Sequence, residues 1–188
     1  RRVQAYSLVR YCRKRLGEIP AQAQNTRCRC CGLRCTAAAM SPDGKRIAYN
    51  PLRAAFEQWK NYRGGTASRL WIYDVATSAV NQVPQPATRS NDVFPMWIGD
   101  VLYFVSDRDG EFNLYRFDGK DVKALTAHTD FPIQNANVGD GVIVYEQAGW
   151  IHVYDPKVGE SKRVVIGVAA DLVETRPRFV KGAQYLRA

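Results

Sequence analysis

From residue 39 onward the chain repeats itself with a loose period near 40 residues, and nothing else in the sequence constrains its fold so strongly. Each unit has an apolar run after a turn: residues 46–50 (RIAYN), 101–106 (VLYFVS) and 142–146 (VIVYE). Each then has a run that closes on Asp: 70–74 (LWIYD), 114–118 (LYRFD) and 151–155 (IHVYD). The three closing residues, Asp74, Asp118 and Asp155, lie 44 and 37 positions apart. A short turn and a more polar run follow each: 80–83, 122–126 and 162–166.

These runs are short, rich in β-branched and aromatic residues, and separated by Gly, Asp and Pro, as half-buried antiparallel strands require. The turns agree. In Ser41-Pro42-Asp43-Gly44 and Asp107-Arg108-Asp109-Gly110, Pro or Asp stands where a turn begins and Gly where positive φ is needed. The Asp that ends each third strand is expected to accept backbone N–H bonds in the following turn. The expected fold is all-β: an incomplete β-propeller of about three four-stranded antiparallel blades, plus the start of a fourth around residues 176–186. Trp97, Tyr103, Phe104, Tyr115 and Phe117 are expected to pack between blades, because a small sheet must bury both faces against its neighbours.

The first 38 residues differ in kind. They hold nine basic side chains against Glu18 alone, a charge of +8, so residues 39–188 keep only +1 of the chain's +9. All five cysteines (Cys12, Cys28, Cys30, Cys31, Cys35) also precede residue 36. Four thiols within eight residues do not match structural zinc sites, where two separated knuckles approach the metal from opposite sides. The segment 1–38 therefore reads as an irregular basic extension outside the native fold, either translation in an unintended frame or a disordered tail, and the domain as residues 39–188. The chain opens on Arg1 and stops in an apparent strand at Tyr185-Leu186, so both ends read as cut.

Several function classes find no support. The basic charge is outside the main domain, so it does not argue for nucleic acid. No run approaches the roughly 18 apolar residues of a membrane helix, and no apolar leader opens the chain. Neither His128 nor His152 stands near a G-x-S-x-G elbow, which is absent, and no phosphate loop or metal spacing occurs in the main domain. The expectation is no catalytic residue, no cofactor and no metal.

One irregular feature remains, the long insertion 51–65 between the second and third strands of the first unit. Connections of this length inside a compact repeat are more often functional than filler. Its Arg53, Phe56, Trp59, Lys60, Tyr62 and Arg63 mix aromatic and basic groups, and are the candidate interface or channel residues.

The motif SPDGKRIAY (41–49) resembles the repeat shared by TolB and tricorn-type propellers. The ordered set FEQWKNYRGG (56–65), LWIYD (70–74), SND (90–92), FPMW (94–97), SDRDGEFNL (106–114) and AADLVETRPRF (169–179) is similar to the N-terminal six-bladed propeller of tricorn-type serine proteases. The resemblance implies a non-catalytic fragment that shapes and gates peptide passage to or from a serine protease core in a cytoplasmic, homo-oligomeric peptidase. Its implied partners are the remaining propeller and protease domains and oligopeptide substrates or products, with no nucleic acid and no membrane. The alternatives are a TolB-like protein-binding scaffold and a prolyl-oligopeptidase-type lid.

Overall fold

A computed structural model describes residues 37–52, 61–167 and 176–185. Among the described residues twelve strands form three separate four-stranded antiparallel sheets, each a meander of consecutive strands. The first sheet is β1 (Ala37–Met40), β2 (Arg46–Asn50), β3 (Trp71–Asp74) and β4 (Val80–Gln82). The second is β5 (Asp92–Ile98), β6 (Val101–Ser106), β7 (Asn113–Phe117) and β8 (Val122–Ala124). The third is β9 (Gln134–Gly139), β10 (Val142–Gln147), β11 (Trp150–Asp155) and β12 (Glu160–Arg163). The first strands of successive sheets lie side by side, β1 against β5 and β5 against β9, as the inner strands of neighbouring propeller blades do.

The turns follow from their residues. Gly44 sits at φ 73° and donates to Ser41 O at 2.9 Å, and Gly110 sits at φ 109° and donates to Asp107 O at 3.1 Å. Asp74 Oδ1 accepts the N–H groups of Ala76 (3.0 Å) and Thr77 (2.8 Å). Asp118 Oδ1 accepts those of Lys120 (3.0 Å) and Asp121 (2.9 Å), and Asp155 Oδ1 that of Lys157 (2.9 Å). The recurring Asp is thus a turn-former in all three blades.

Packing alternates along the strands, because successive side chains of a strand point to opposite faces. In β6, Leu102 and Phe104 join Ala39, Ala48, Leu70, Val83, Trp97, Tyr115 and Phe117 between the first two blades. Tyr103 and Val105 point the other way, into a cluster with Met96, Phe112, Leu114, Ile133, Ile143, Tyr145 and Tyr154 between the second and third. The five aromatics expected between blades are all buried there. On the third blade the face corresponding to Tyr103 is open, and Val144 and Ile151 are exposed on it.

Two strands carry matching bulges. Phe94 and Pro95 of β5 together oppose Phe104, and Asn135 and Ala136 of β9 together oppose Tyr145. Phe94 and Asn135 take φ values of 53° and 50°, in the left-handed region, where each strand accommodates its extra residue. The bulge is also where a strand tolerates Pro95, whose missing N–H breaks no ladder bond there.

The region expected to begin a fourth blade differs. Its described residues, 176–185, contain no strand, and Gly182–Tyr185 form one 3-10 turn. A strand needs a hydrogen-bonded neighbour, and among the described residues no further strand stands beside this segment. The Cys-rich stretch through residue 36, residues 53–60 and residues 168–175 lie outside the described residues.

Candidate functional site

Of the six insertion residues singled out in the sequence, Arg53, Phe56, Trp59 and Lys60 lie outside the described residues, while Tyr62 and Arg63 form the stem that returns to β3. That stem is fixed to the second blade. Arg63 Nη1 meets Asp107 Oδ2 at 2.5 Å, and its Nη2 donates to Asp107 O at 3.2 Å. Asp107 is fully buried, so the guanidinium supplies the countercharge that a carboxylate away from water requires. Asn91 completes the joint. Its side-chain amide donates to Tyr62 O at 2.8 Å and to Asp107 Oδ2 at 3.0 Å, and its Oδ1 accepts the N–H of Ser68 at 3.1 Å. Arg89 Nη1 adds a bond to Arg63 O at 3.3 Å. The Tyr62 phenol lies where a Cβ on Gly64 would stand, so a side chain there would push that ring aside.

Beside this joint lies a second buried carboxylate. Asp92 accepts from Ser90 Oγ (2.9 Å), from Arg108 Nη2 (3.2 Å) and, through Oδ2, from Gln85 Nε2. Burial pushes its carboxyl above the usual 3.8, and the Arg108 guanidinium pulls it back down. Arg108 in turn lies over the rings of Phe104 and Tyr115, at 5.2 Å and 5.1 Å from their centroids. Asn50 Nδ2 reaches across from β2 to Asp92 O at 2.8 Å and to Arg69 O at 2.9 Å. The first two blades are therefore joined by a buried polar network as well as by an apolar core.

A third polar cluster crosses from the second blade to the third. His128, in the loop after β8, is held by Asn113, whose Oδ1 accepts its N–H at 2.7 Å and whose Nδ2 donates to its carbonyl at 2.9 Å. Its Nε2 is 3.3 Å from Tyr145 Oη, which is 2.6 Å from Ser161 Oγ. Burial lowers the His128 pKa, opposed by Asp130, and burial, then His128 and Arg163, lower that of His152. Ser161 meets a phenol and not an imidazole, so the cluster is not a nucleophile and its base. Among the described residues no group of three or more His, Cys, Asp or Glu could hold a metal ion.

Sequence reasoning did not find either polar joint. Asp107 reads as a turn former and Ser90-Asn91-Asp92 only as part of the family motif, and only the fold brings Asn91 and Asp107 together with Arg63. One signal was present: a Ser-Asn-Asp run at the start of β5 and a Ser-Asp pair at the end of β6, which the strand register sets opposite each other.

The family model described as the tricorn protease N-terminal beta propeller domain matches residues 11–160. The tricorn protease homolog of Saccharolobus solfataricus is 33% identical over 130 residues, covering 68% of this chain and 12% of that protein. The tricorn protease of Thermoplasma acidophilum is 31% identical over 142 residues, covering 73% of this chain and again 12% of the relative. The chain thus spans a small part of these relatives' length. The crystal structure of the tricorn protease superposes with a TM-score of 0.60 at 27% identity, over 73% of this chain and 13% of that one. A puromycin-hydrolysing peptidase of Mycobacterium tuberculosis, at 19% identity and a TM-score of 0.52 over 69% of this chain and 21% of its own, shares the fold.

Proposed function

Because the chain belongs to the tricorn protease family, as part of its N-terminal β-propeller, we propose that it is a wall and gate of a peptide channel, with bond cleavage carried out by residues outside it. The observation that carries the reading is the anchored stem of the 51–65 insertion. A long connection with aromatic and basic residues is held at its return by the half-buried Arg63 on the buried Asp107 and by Asn91, so the blades invest a fixed polar joint in presenting it. Aromatic and cationic groups together suit a peptide backbone and its terminal carboxylate. On this reading the open face of the third blade, with Val144 and Ile151, is covered by the next blade of the same ring. The same reading gives the chain the remaining propeller and protease domains as partners, in an oligomeric cytoplasmic enzyme.

The test is kinetic and uses the full-length protein. Replacing Trp59 and Lys60 by Ser should change kcat/KM for oligopeptides of ten residues or so, while leaving a short chromogenic substrate untouched. Equal loss on both substrates would assign the insertion to folding or catalysis and reject the channel role.

A further inference from the structure

We propose that the seam between the second and third blades is acid-labile, with His128 and His152 as its proton-sensing pair. The repeat itself shows what has changed. In the second blade, the cross-strand pair at this register is Phe104–Tyr115, with ring centroids 6.0 Å apart. At the corresponding register of the third blade stand Tyr145 and His152, stacked at 5.2 Å with planes 6° apart. A ring that titrates near neutrality has taken the place of one that does not.

The second histidine arrives from the other side of the seam. His128 belongs to the loop leaving the second blade, and its ring lies edge-on to both Tyr145 (6.1 Å) and His152 (6.0 Å). The groups packed around the pair are few. β10 offers the Tyr145 hydroxyl and Gln147, which donates to Asp130 Oδ1 at 3.0 Å. β12 offers Ser161 and Arg163, the latter 4.0 Å over the Trp150 ring of β11. Asp130, two residues beyond His128, is the carboxylate that acts on it. Protonating both imidazoles would set two new cations beside Arg163 with Asp130 as counterion. Repulsion and desolvation then both favour separating the His128 loop from the third blade.

The sign is fixed by direction. Both imidazoles are held below the ordinary 6.5, so their neutral forms stabilise the seam above that pH. That stability is lost as pH falls through 6.5 towards the lowered folded values.

The experiment takes the whole chain from pH 8 to pH 5, following both imidazoles by NMR and the backbone of β9 and β10 by hydrogen exchange corrected for intrinsic rate. Expected are imidazole midpoints below 6.5 and a severalfold loss of protection on going from pH 7.5 to 5.5. The double variant His128→Gln, His152→Gln should lose that pH dependence. Midpoints at or above 6.5, or the same loss of protection in the double variant, overturn the proposal; if the variant does not fold, the wild-type midpoints decide alone.

Discussion

Asp107 holds Asn91 twice, accepting its backbone N–H on Oδ1 at 2.7 Å and its side-chain amide on Oδ2 at 3.0 Å, while the same Oδ2 receives Arg63. One fully buried carboxylate therefore joins the entry to β5, the exit from β6 and the stem of the insertion.

Asp107→Ala is expected to cost about 2–3 kcal/mol, since it leaves the buried Asn91 N–H without its acceptor and takes the countercharge from the half-buried Arg63. Urea unfolding measures it. A loss under about 1 kcal/mol would mean that water or other acceptors take over the joint.

Phe104→Ala should cost about 3–5 kcal/mol, because the ring is fully buried, stacks on Tyr115 and lies beneath Arg108. The loss should appear in the thermal midpoint together with a red-shift of Trp97 fluorescence, as Trp97 shares that cluster.

Val144→Lys and Tyr103→Lys form a matched pair, one on the open face of the third blade and one at the corresponding place of the second. The first should change the stability of this chain by less than about 0.5 kcal/mol. The second should unfold it, because it buries an unpaired ammonium. Equal effects in calorimetry would show that the two faces are covered alike and that the face of Val144 is not open.

The acid limb of unfolding should report the turn carboxylates. Backbone N–H bonds hold Asp74 and Asp118 below the usual 3.8. Their contribution is present above 3.8 and lost as pH falls through the lowered folded values. Asp118→Asn should flatten the stability profile between pH 4 and pH 2, measured by circular dichroism; an unchanged slope would remove Asp118 from that account.

What could be read from the chain alone tracks the range of the forces involved. The second and third strands of each blade are apolar runs ending at a turn, and β2 and β6 were legible to the residue. The inner strands were not assigned: β5 and β9 break their alternation at Phe94-Pro95 and Asn135-Ala136, and β1 is mostly alanine. The polar joint stayed hidden because Arg63 and Asp107 are 44 residues apart and meet only once two blades are side by side. The pairing of His128 with Tyr145 was hidden likewise, since each alone reads as an ordinary loop or strand residue.

Because β6 deals Leu102 and Phe104 to one neighbour and Tyr103 and Val105 to the other, a single residue gained or lost within it would swap the tenants of two interiors at a stroke. Such a sheet can drift in length at its hairpins, or within a strand only through a bulge like that of β5. Diversification is thereby steered to the connections, of which 51–65 is the longest between strands of one blade.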